Sequence, residues 1–323
     1  MIPDLPIDKP IPLPACGTWP ASVHLFDQAS ADAVLAALAA ERPLLVRGEP
    51  GMGKSQLARA AAQKLDRLFV STVVHSRSEA QDLQWEYDAV ARLGEAQVLA
   101  SVPSELSPSE RLDPRRFLIP GPLWWTFNWQ SAQDQVTQYS LCKANPPTKP
   151  DGWQPEQGSV LLIDEIDKAE ADLPNSLLET LGNGAFPVPW LDAPVGLRPG
   201  CKPPLVVITT NGERELPAAF LRRCLVLHLE LPKGDTLIAW LVKLGKEHFG
   251  KDCTEEVRIL VAEQLVKDRA RARDLGRPAP GQAEYLDILR ALKNARGPDE
   301  AAQKALFQRI ARFALDKTGT TGA

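Results

Sequence analysis

The sequence predicts an α/β fold in which a parallel sheet is sandwiched by helices and followed by a small all-helical unit. Two observations predict it. Short apolar runs alternate with helical patterns as far as Leu231, the arrangement of a parallel sheet covered on both faces. From Lys233 onward the strand-like runs stop and apolar residues recur only at helical spacing. Composition agrees: 323 residues, 44% hydrophobic and 24% charged, suit one or two globular domains and exclude a disordered chain, a collagen-like polymer or a disulfide-stapled miniprotein.

Six prolines in the first 20 residues disfavour helix and central strand, so residues 1–22 are expected to form an extended arm. A helix is expected from the N-cap candidate Ser30 through AVLAALAA. PLLVRG then reads as a buried strand, KSQLARAAAQKL as an alanine-rich helix, LFVSTVV as a strand and EAQDLQWEYDAVARLGEAQ as helix. An insertion follows at about 99–157, with nine prolines between Pro103 and Pro155 and four indoles, Trp124, Trp125, Trp129 and Trp153. A featureless loop has no need of four indoles, so the insertion should have packed content. Those indoles either cover the sheet or mark a partner surface.

After the insertion come SVLLID (strand), DLPNSLLETLGNG (helix closing on glycine), PLVVITTN (strand), PAAFLRR (short helix) and CLVLHLEL (strand). FPVPWLDAPVGL, Phe186 to Leu197, alternates as a hairpin would around Asp192-Ala193-Pro194. Val257, Leu260, Val261 and Leu265, then Tyr285, Ile288, Leu289 and Leu292, then Leu306, Ile310 and Phe313 mark the terminal helices. The expected units are therefore the arm 1–22, a core 23–232 and a helical unit 233–323.

Thirty-seven basic against 41 acidic side chains, a formal charge of −4, give no electrostatic case for direct nucleic-acid binding. Five scattered cysteines (Cys16, Cys142, Cys201, Cys224, Cys253) without a C-x-x-C pair suggest reduced thiols, and no apolar run reaches the ~18 residues of a membrane span. With no signal-peptide pattern at the start, a cytoplasmic protein is expected.

Gly48-Glu49-Pro50-Gly51-Met52-Gly53-Lys54-Ser55 satisfies G-x-x-x-x-G-K-[ST] between an expected strand and an expected helix. The glycines turn backbone amides toward a polyphosphate, the helix N-terminus adds its dipole, Lys54 reaches the β- and γ-phosphates and Ser55 binds Mg²⁺. Asp164 and Glu165 end the apolar strand Ser159–Asp164, where ligands of open α/β sheets sit. Asp164 is expected to hold Mg²⁺ through water and Glu165 to polarise the attacking water. Asn211, after Leu205-Val206-Val207-Ile208, is placed to orient that water. Arg222 and Arg223, on the short helix before the last strand, are candidates for an arginine finger completing the site of an adjacent subunit.

In order along the chain, GEPGMGKS, LLIDEIDKAE, ITTN and AAFLRRC resemble the Walker A, Walker B, sensor 1 and arginine-finger elements of AAA+ ATPases. PLLVRGEPGMGKSQLA, HSRSEAQDLQWEYDAVARL, PGPLWW and TTNGERELPAAFLRRC resemble the MoxR-like branch. The resemblance spans about Ser30 to Leu231, with the remainder similar to an AAA+ lid. It implies an ATP-hydrolysing P-loop NTPase using ATP and Mg²⁺, a homo-oligomeric ring, expected to be a hexamer, and a remodelled protein client, typically with a von Willebrand factor A-type protein. It makes Arg223 the likelier finger, Arg222 standing where the family has aspartate. The branch's lid arginine in an S-P-R turn has its nearest counterpart in Arg277 of Gly276-Arg277-Pro278. The branch's helix-2 insertion and hairpin correspond to part of 99–157 and to Phe186–Leu197. A second resemblance, to McrB-type NTPase motors of DNA-directed defence, is weaker: those read M-N-T-A-D where this chain has Thr209-Thr210-Asn211-Gly212, and they use GTP. A nucleotide-gated scaffold without hydrolysis is disfavoured by the complete Asp164-Glu165 pair.

Overall fold

In a computed structural model, which describes residues 3–99, 104–139, 141 and 144–314, the chain builds one central sheet with helices on both faces and a helical bundle after it. Strands β1 (Pro10–Leu13) and β2 (Ser22–Leu25) form an antiparallel hairpin. The proline-rich segment is extended, as expected, and packs on the chain's own core through Ile11, Leu13 and Phe26. Pro10 and Pro12 alternate outward while Ile11 and Leu13 are buried, a placement open to proline on an edge strand. The buried guanidinium of Arg59 holds the segment down by donating to the Pro14 carbonyl (2.8 Å) and the Pro20 carbonyl (3.2 Å).

Helix α1 (Gln28–Ala40) is capped three residues earlier than expected. Asp27 is the cap, its Oδ1 accepting from Ser30 N at 2.7 Å, and Ser30 is the reciprocal partner in a capping box. Then come β3 (Leu44–Arg47), α2 (Lys54–Lys64) and β4 (Leu68–Val73). The long helix expected next is broken into α3 (Ala80–Gln84), β5 (Trp85–Tyr87) and α4 (Ala89–Val98). The break arises because Trp85–Tyr87 pairs with β6 (Leu118–Pro120) of the insertion, a partner far away in sequence.

The insertion is more ordered than its prolines suggest, holding α5 (Pro108–Arg111), α6 (Pro122–Phe127) and α7 (Trp129–Gln138). Trp124, Trp125, Trp129 and Trp153 are all buried in one cluster with Leu161 and Ile163 of the sheet. Their indole hydrogens mostly go to local acceptors, Trp125 Nε1 to the Pro120 carbonyl (3.2 Å) and Trp153 Nε1 to the Gly158 carbonyl (3.0 Å). They cover the sheet and do not form an exposed partner surface. Cys142 lies outside the described residues.

Next come β7 (Ser159–Asp164), α8 (Asp172–Asn183) closing on Gly184, the two-residue strands β8 (Ala185–Phe186) and β9 (Val195–Gly196) of the expected hairpin, β10 (Leu205–Thr210), α9 (Ala218–Arg223) and β11 (Leu225–His228). The central sheet is wholly parallel, in the order β11-β3-β10-β7-β4. Alternate residues of each strand face opposite sides: Leu161, Ile163, Val206 and Ile208 pack against the insertion, whereas Val160, Leu162, Leu205 and Val207 pack against α1, α2 and the β1–β2 hairpin. Helices α10 (Asp235–Phe249), α11 (Glu255–Asp274), α12 (Gln282–Arg296) and α13 (Glu300–Ala314) form a separate core around Leu241, Val261, Tyr285 and Leu289.

Candidate active site at the C-terminal edge of the sheet

The loops leaving β3, β7 and β10 emerge at the same edge of the sheet, as parallel strands require, and meet around a cavity of about 520 Å³. In the loop from β3 to α2, Gly51 and Gly53 have φ of 75° and 80°, values that glycine adopts without strain. A side chain at Gly48 would place its Cβ 2.9 Å from the Leu229 carbonyl oxygen. The motif glycines are therefore demanded by the backbone itself.

Lys54 is buried, and its ammonium donates to the carbonyls of Gly48 (2.7 Å) and Glu49 (3.0 Å) and to Asn211 Oδ1 (2.7 Å). Burial pulls its pKa below the usual lysine value, against the opposing pull of Asp164, Asp167 and Glu165. Ser55 Oγ lies 2.9 Å from Asp164 Oδ2. Asn211 Nδ2 donates to Glu165 Oε1 at 3.4 Å, so Lys54, Asn211 and Glu165 form one chain of polar contacts. Glu165 has φ 60° and ψ 47°, the left-handed region, which costs a non-glycine residue on the order of 1–3 kcal/mol.

The helical bundle closes the other side of the phosphate loop. Met52 belongs to the bundle's hydrophobic core, Ala283 N donates to the Gly51 carbonyl (3.2 Å), and the Gln282 amide lies against Gly53. Buried Arg269 joins Glu49 Oε2 at 2.9 Å and also donates to the Pro280 carbonyl. Arg277 is not brought to this site: Gly276 (φ 63°) turns the chain at the end of α11, and Arg277 is left exposed outside the cavity lining. Arg269 and Gln282 were missed in the sequence because they match no short motif. The Asp-Glu-x-Asp-Lys spacing at the end of β7 singles out Asp167, whose buried Oδ2 accepts from Glu213 N at 2.9 Å and steadies the loop carrying Asn211.

Arg222 and Arg223 stand elsewhere. Leu225, just beyond them, pairs with Leu44 at the start of β3, while the phosphate loop follows the end of β3. Both arginines are exposed at the edge of the sheet opposite their own cavity. Arg42 clasps the end of α9 beneath them, donating to the Arg223 carbonyl (3.1 Å) and to the Arg222 carbonyl, which satisfies carbonyls the helix leaves unpaired.

The donors fit a Mg–nucleotide. Ser55 and Asp164 supply hard oxygen ligands, and Mg²⁺ is typically held by one or two carboxylates plus phosphate oxygens and water. Among the described residues there is no cluster of three or more His, Cys, Asp or Glu able to hold a metal by itself.

A glycine loop between strand and helix, its lysine and hydroxyl facing an acidic pair on β7, with β10 intervening between β3 and β7, defines a P-loop NTPase. The chain belongs to the AAA domain family, dynein-related subfamily, whose profile matches residues 43–224, more than half of its length. It is an ATP-hydrolysing enzyme, and proteins of this family bind ATP, typically with Mg²⁺. Among solved structures, a putative ATPase from Cytophaga hutchinsonii is 14% identical over 87% of this chain and 79% of its own, with a TM-score of 0.38. Two RuvB variants from Thermotoga maritima are 13% and 15% identical, over 87% and 88% of this chain and 67% and 68% of theirs, with TM-scores of 0.42 and 0.45. No curated protein matches the chain. The family assignment rests on residues 43–224 alone.

Proposed function

We propose that this enzyme is a ring-forming ATPase of the MoxR type that uses hydrolysis to remodel a protein partner, with a von Willebrand factor A-type protein as the partner class. The observation that carries the ring is the position of Arg222 and Arg223, exposed and at the sheet edge opposite their own phosphate loop. An arginine there serves the site of a neighbour, and Arg223 is the one assigned as the finger. The client class rests on the MoxR-like sequence elements.

In this reading the backbone of Gly48–Gly53 and the Lys54 ammonium hold the polyphosphate. Ser55 and Asp164 would hold Mg²⁺, which would supply positive charge to offset that of the phosphate oxygens. Glu165 accepts a proton from the attacking water, which Asn211 orients through its contact with Glu165. The core 23–232 carries these groups, and the lid 233–323 closes on the loop through Arg269, Gln282 and Ala283. None of the described helices is long and apolar enough to cross a membrane.

The test pairs assembly with activity. ATPase activity per subunit should rise with protein concentration as hexamers appear in sedimentation velocity, and a Glu165→Gln trap should co-purify a protein client. A fully active dilute monomer would overturn the ring. Competition binding should favour Mg-ATP over Mg-GTP; a GTP preference would move the protein to the McrB-like reading.

A further inference from the structure

Asp164 and Glu165 are consecutive, yet their carboxylates serve different neighbours, Ser55 for the first and Asn211 for the second. The chain achieves this by placing Glu165 in the left-handed region, which is sparsely occupied by residues with a side chain. Something must hold it there. The fully buried hydroxyl of Thr209, two residues before Asn211 on β10, accepts from Glu165 N at 3.0 Å and donates to Asp164 Oδ1.

We propose that Thr209 is a positioning residue for hydrolysis: its hydroxyl fixes the left-handed turn at Glu165 and, through the same oxygen, the orientation of Asp164. This rests on the assignment of Glu165 as the water-activating carboxylate. A threonine hydroxyl has one hydrogen and can accept as well, and here both capacities are used on the two acidic residues. Valine has nearly the same shape and neither capacity. In Thr209→Val the Glu165 amide loses its buried acceptor and the turn loses its restraint, so the carboxylate moves relative to Asn211. Of the other ties between these loops, Asn211 reaches only the Glu165 carboxylate, while Asp167 to Glu213 N (2.9 Å), Lys168 to Glu213 (2.5 Å) and Arg214 to the Ala169 carbonyl (3.3 Å) lie beyond Glu165; none reaches its amide.

The experiment measures kcat, KM and the dissociation constant of a fluorescent ATP analogue for wild type, Thr209→Val and Thr209→Ser, each with and without Glu165→Gln. Thr209→Val should lower kcat roughly 10- to 100-fold, the scale of a misplaced catalytic group, while nucleotide affinity stays within about threefold. Thr209→Ser should recover most of the rate. In the Glu165→Gln background, Thr209→Val should cost clearly less than in wild type, because one of the two groups it positions is already disabled and only the Asp164 contact remains to be lost. The proposal is overturned if Thr209→Val keeps the wild-type rate, if serine is as damaging as valine, or if the full loss recurs beside Glu165→Gln. If Thr209→Val does not fold, the serine variant still decides, since a hydroxyl that fails to support turnover also overturns it. A wild-type rate in Glu165→Gln alone would remove the Glu165 assignment and the proposal with it, whereas a failure confined to the Thr209 variants leaves Glu165 standing.

Discussion

The two sides of the phosphate loop are built differently. On the sheet side, Lys54 and Ser55 open α2 while Asp164, Glu165 and Asn211 stand at the ends of β7 and β10, and they are linked by hydrogen bonds of 2.7–3.4 Å, Ser55 to Asp164 and Lys54 through Asn211 to Glu165. On the lid side, contact comes from an apolar plug, Met52, from a backbone bond at Gly51, and from the Arg269–Glu49 pair. The sheet side therefore supplies groups that can change charge or move a proton, and the lid side supplies contacts that hold the loop. The expected consequence is that sheet-side substitutions change turnover while lid-side substitutions change affinity and stability.

The largest expected effect tests the proposed arginine finger. Arg223→Ala should lower the hydrolysis rate by about 10³- to 10⁵-fold, the range for a finger supplied in trans, with ATP binding retained. Mixing Arg223→Ala with Lys54→Ala chains should restore part of the activity, because an intact loop then faces an intact arginine. Absence of rescue in rings shown to be mixed would remove that role from Arg223.

If Glu165 is the water-activating carboxylate proposed above, Glu165→Gln should bind ATP and stall, with turnover reduced about 10²- to 10⁴-fold, the range for losing a general base. Lys54→Ala should instead lose nucleotide affinity, measurable by equilibrium binding. If Lys54→Ala binds normally, the polar chain from Lys54 to Glu165 does not organise the phosphate site.

Arg269→Ala sharpens the contrast from the lid. It removes a buried cation and leaves the Pro280 carbonyl without that donor, which should cost about 1–3 kcal/mol of stability in denaturant unfolding. The dissociation constant for ATP should rise several-fold while kcat changes less. A loss of kcat comparable with that of Glu165→Gln would erase the distinction between the two sides.

The smallest effect concerns acid. Burial pulls the His24 pKa from 6.5 to about 4, and burial also lowers that of His248. A histidine held neutral in the folded state takes up its proton more readily when unfolded, so stability is present above about pH 6.5 and falls as pH drops toward about 4. Between about pH 7 and about pH 5 the loss attributable to His24 is ~2 kcal/mol, read from the denaturant midpoint. A His24→Gln variant should show a shallower acid dependence, and an unchanged slope would exclude His24 as its source.

The site was legible in unequal parts. Lys54, Ser55, Asp164, Glu165 and Asn211 could be picked out because each sits in a short motif at the end of an apolar strand. Thr209 lies two residues before Asn211, and nothing local marks it: its role depends on the bond from Glu165 N to its hydroxyl. Arg269 lies 220 residues from Glu49, and among the many arginines of α11 nothing local distinguishes it. Arg277 is a candidate only by resemblance to the S-P-R turn of the MoxR-like lid, and the turn at Gly276 leaves it in solvent. The break at Trp85–Tyr87 was invisible for the same reason as Arg269: its strand exists only through pairing with Leu118–Pro120.

What the sequence by itself determined was the alternation of buried strands and helices, the glycine positions of the phosphate loop, the acidic pair and the change to helices after Lys233. Apolar periodicity and the conformational freedom of glycine are properties of neighbouring residues, so they are written locally. Only the tertiary structure decided that the proline-rich start folds home, that four indoles are core, that the lid grips the loop through Arg269 and Gln282, and that Arg222 and Arg223 face away from their own site. Each of these depends on which distant segment supplies the buried partner, a carbonyl for Arg59, a sheet face for the indoles, a carboxylate for Arg269, and that choice is made by the packing of the whole chain.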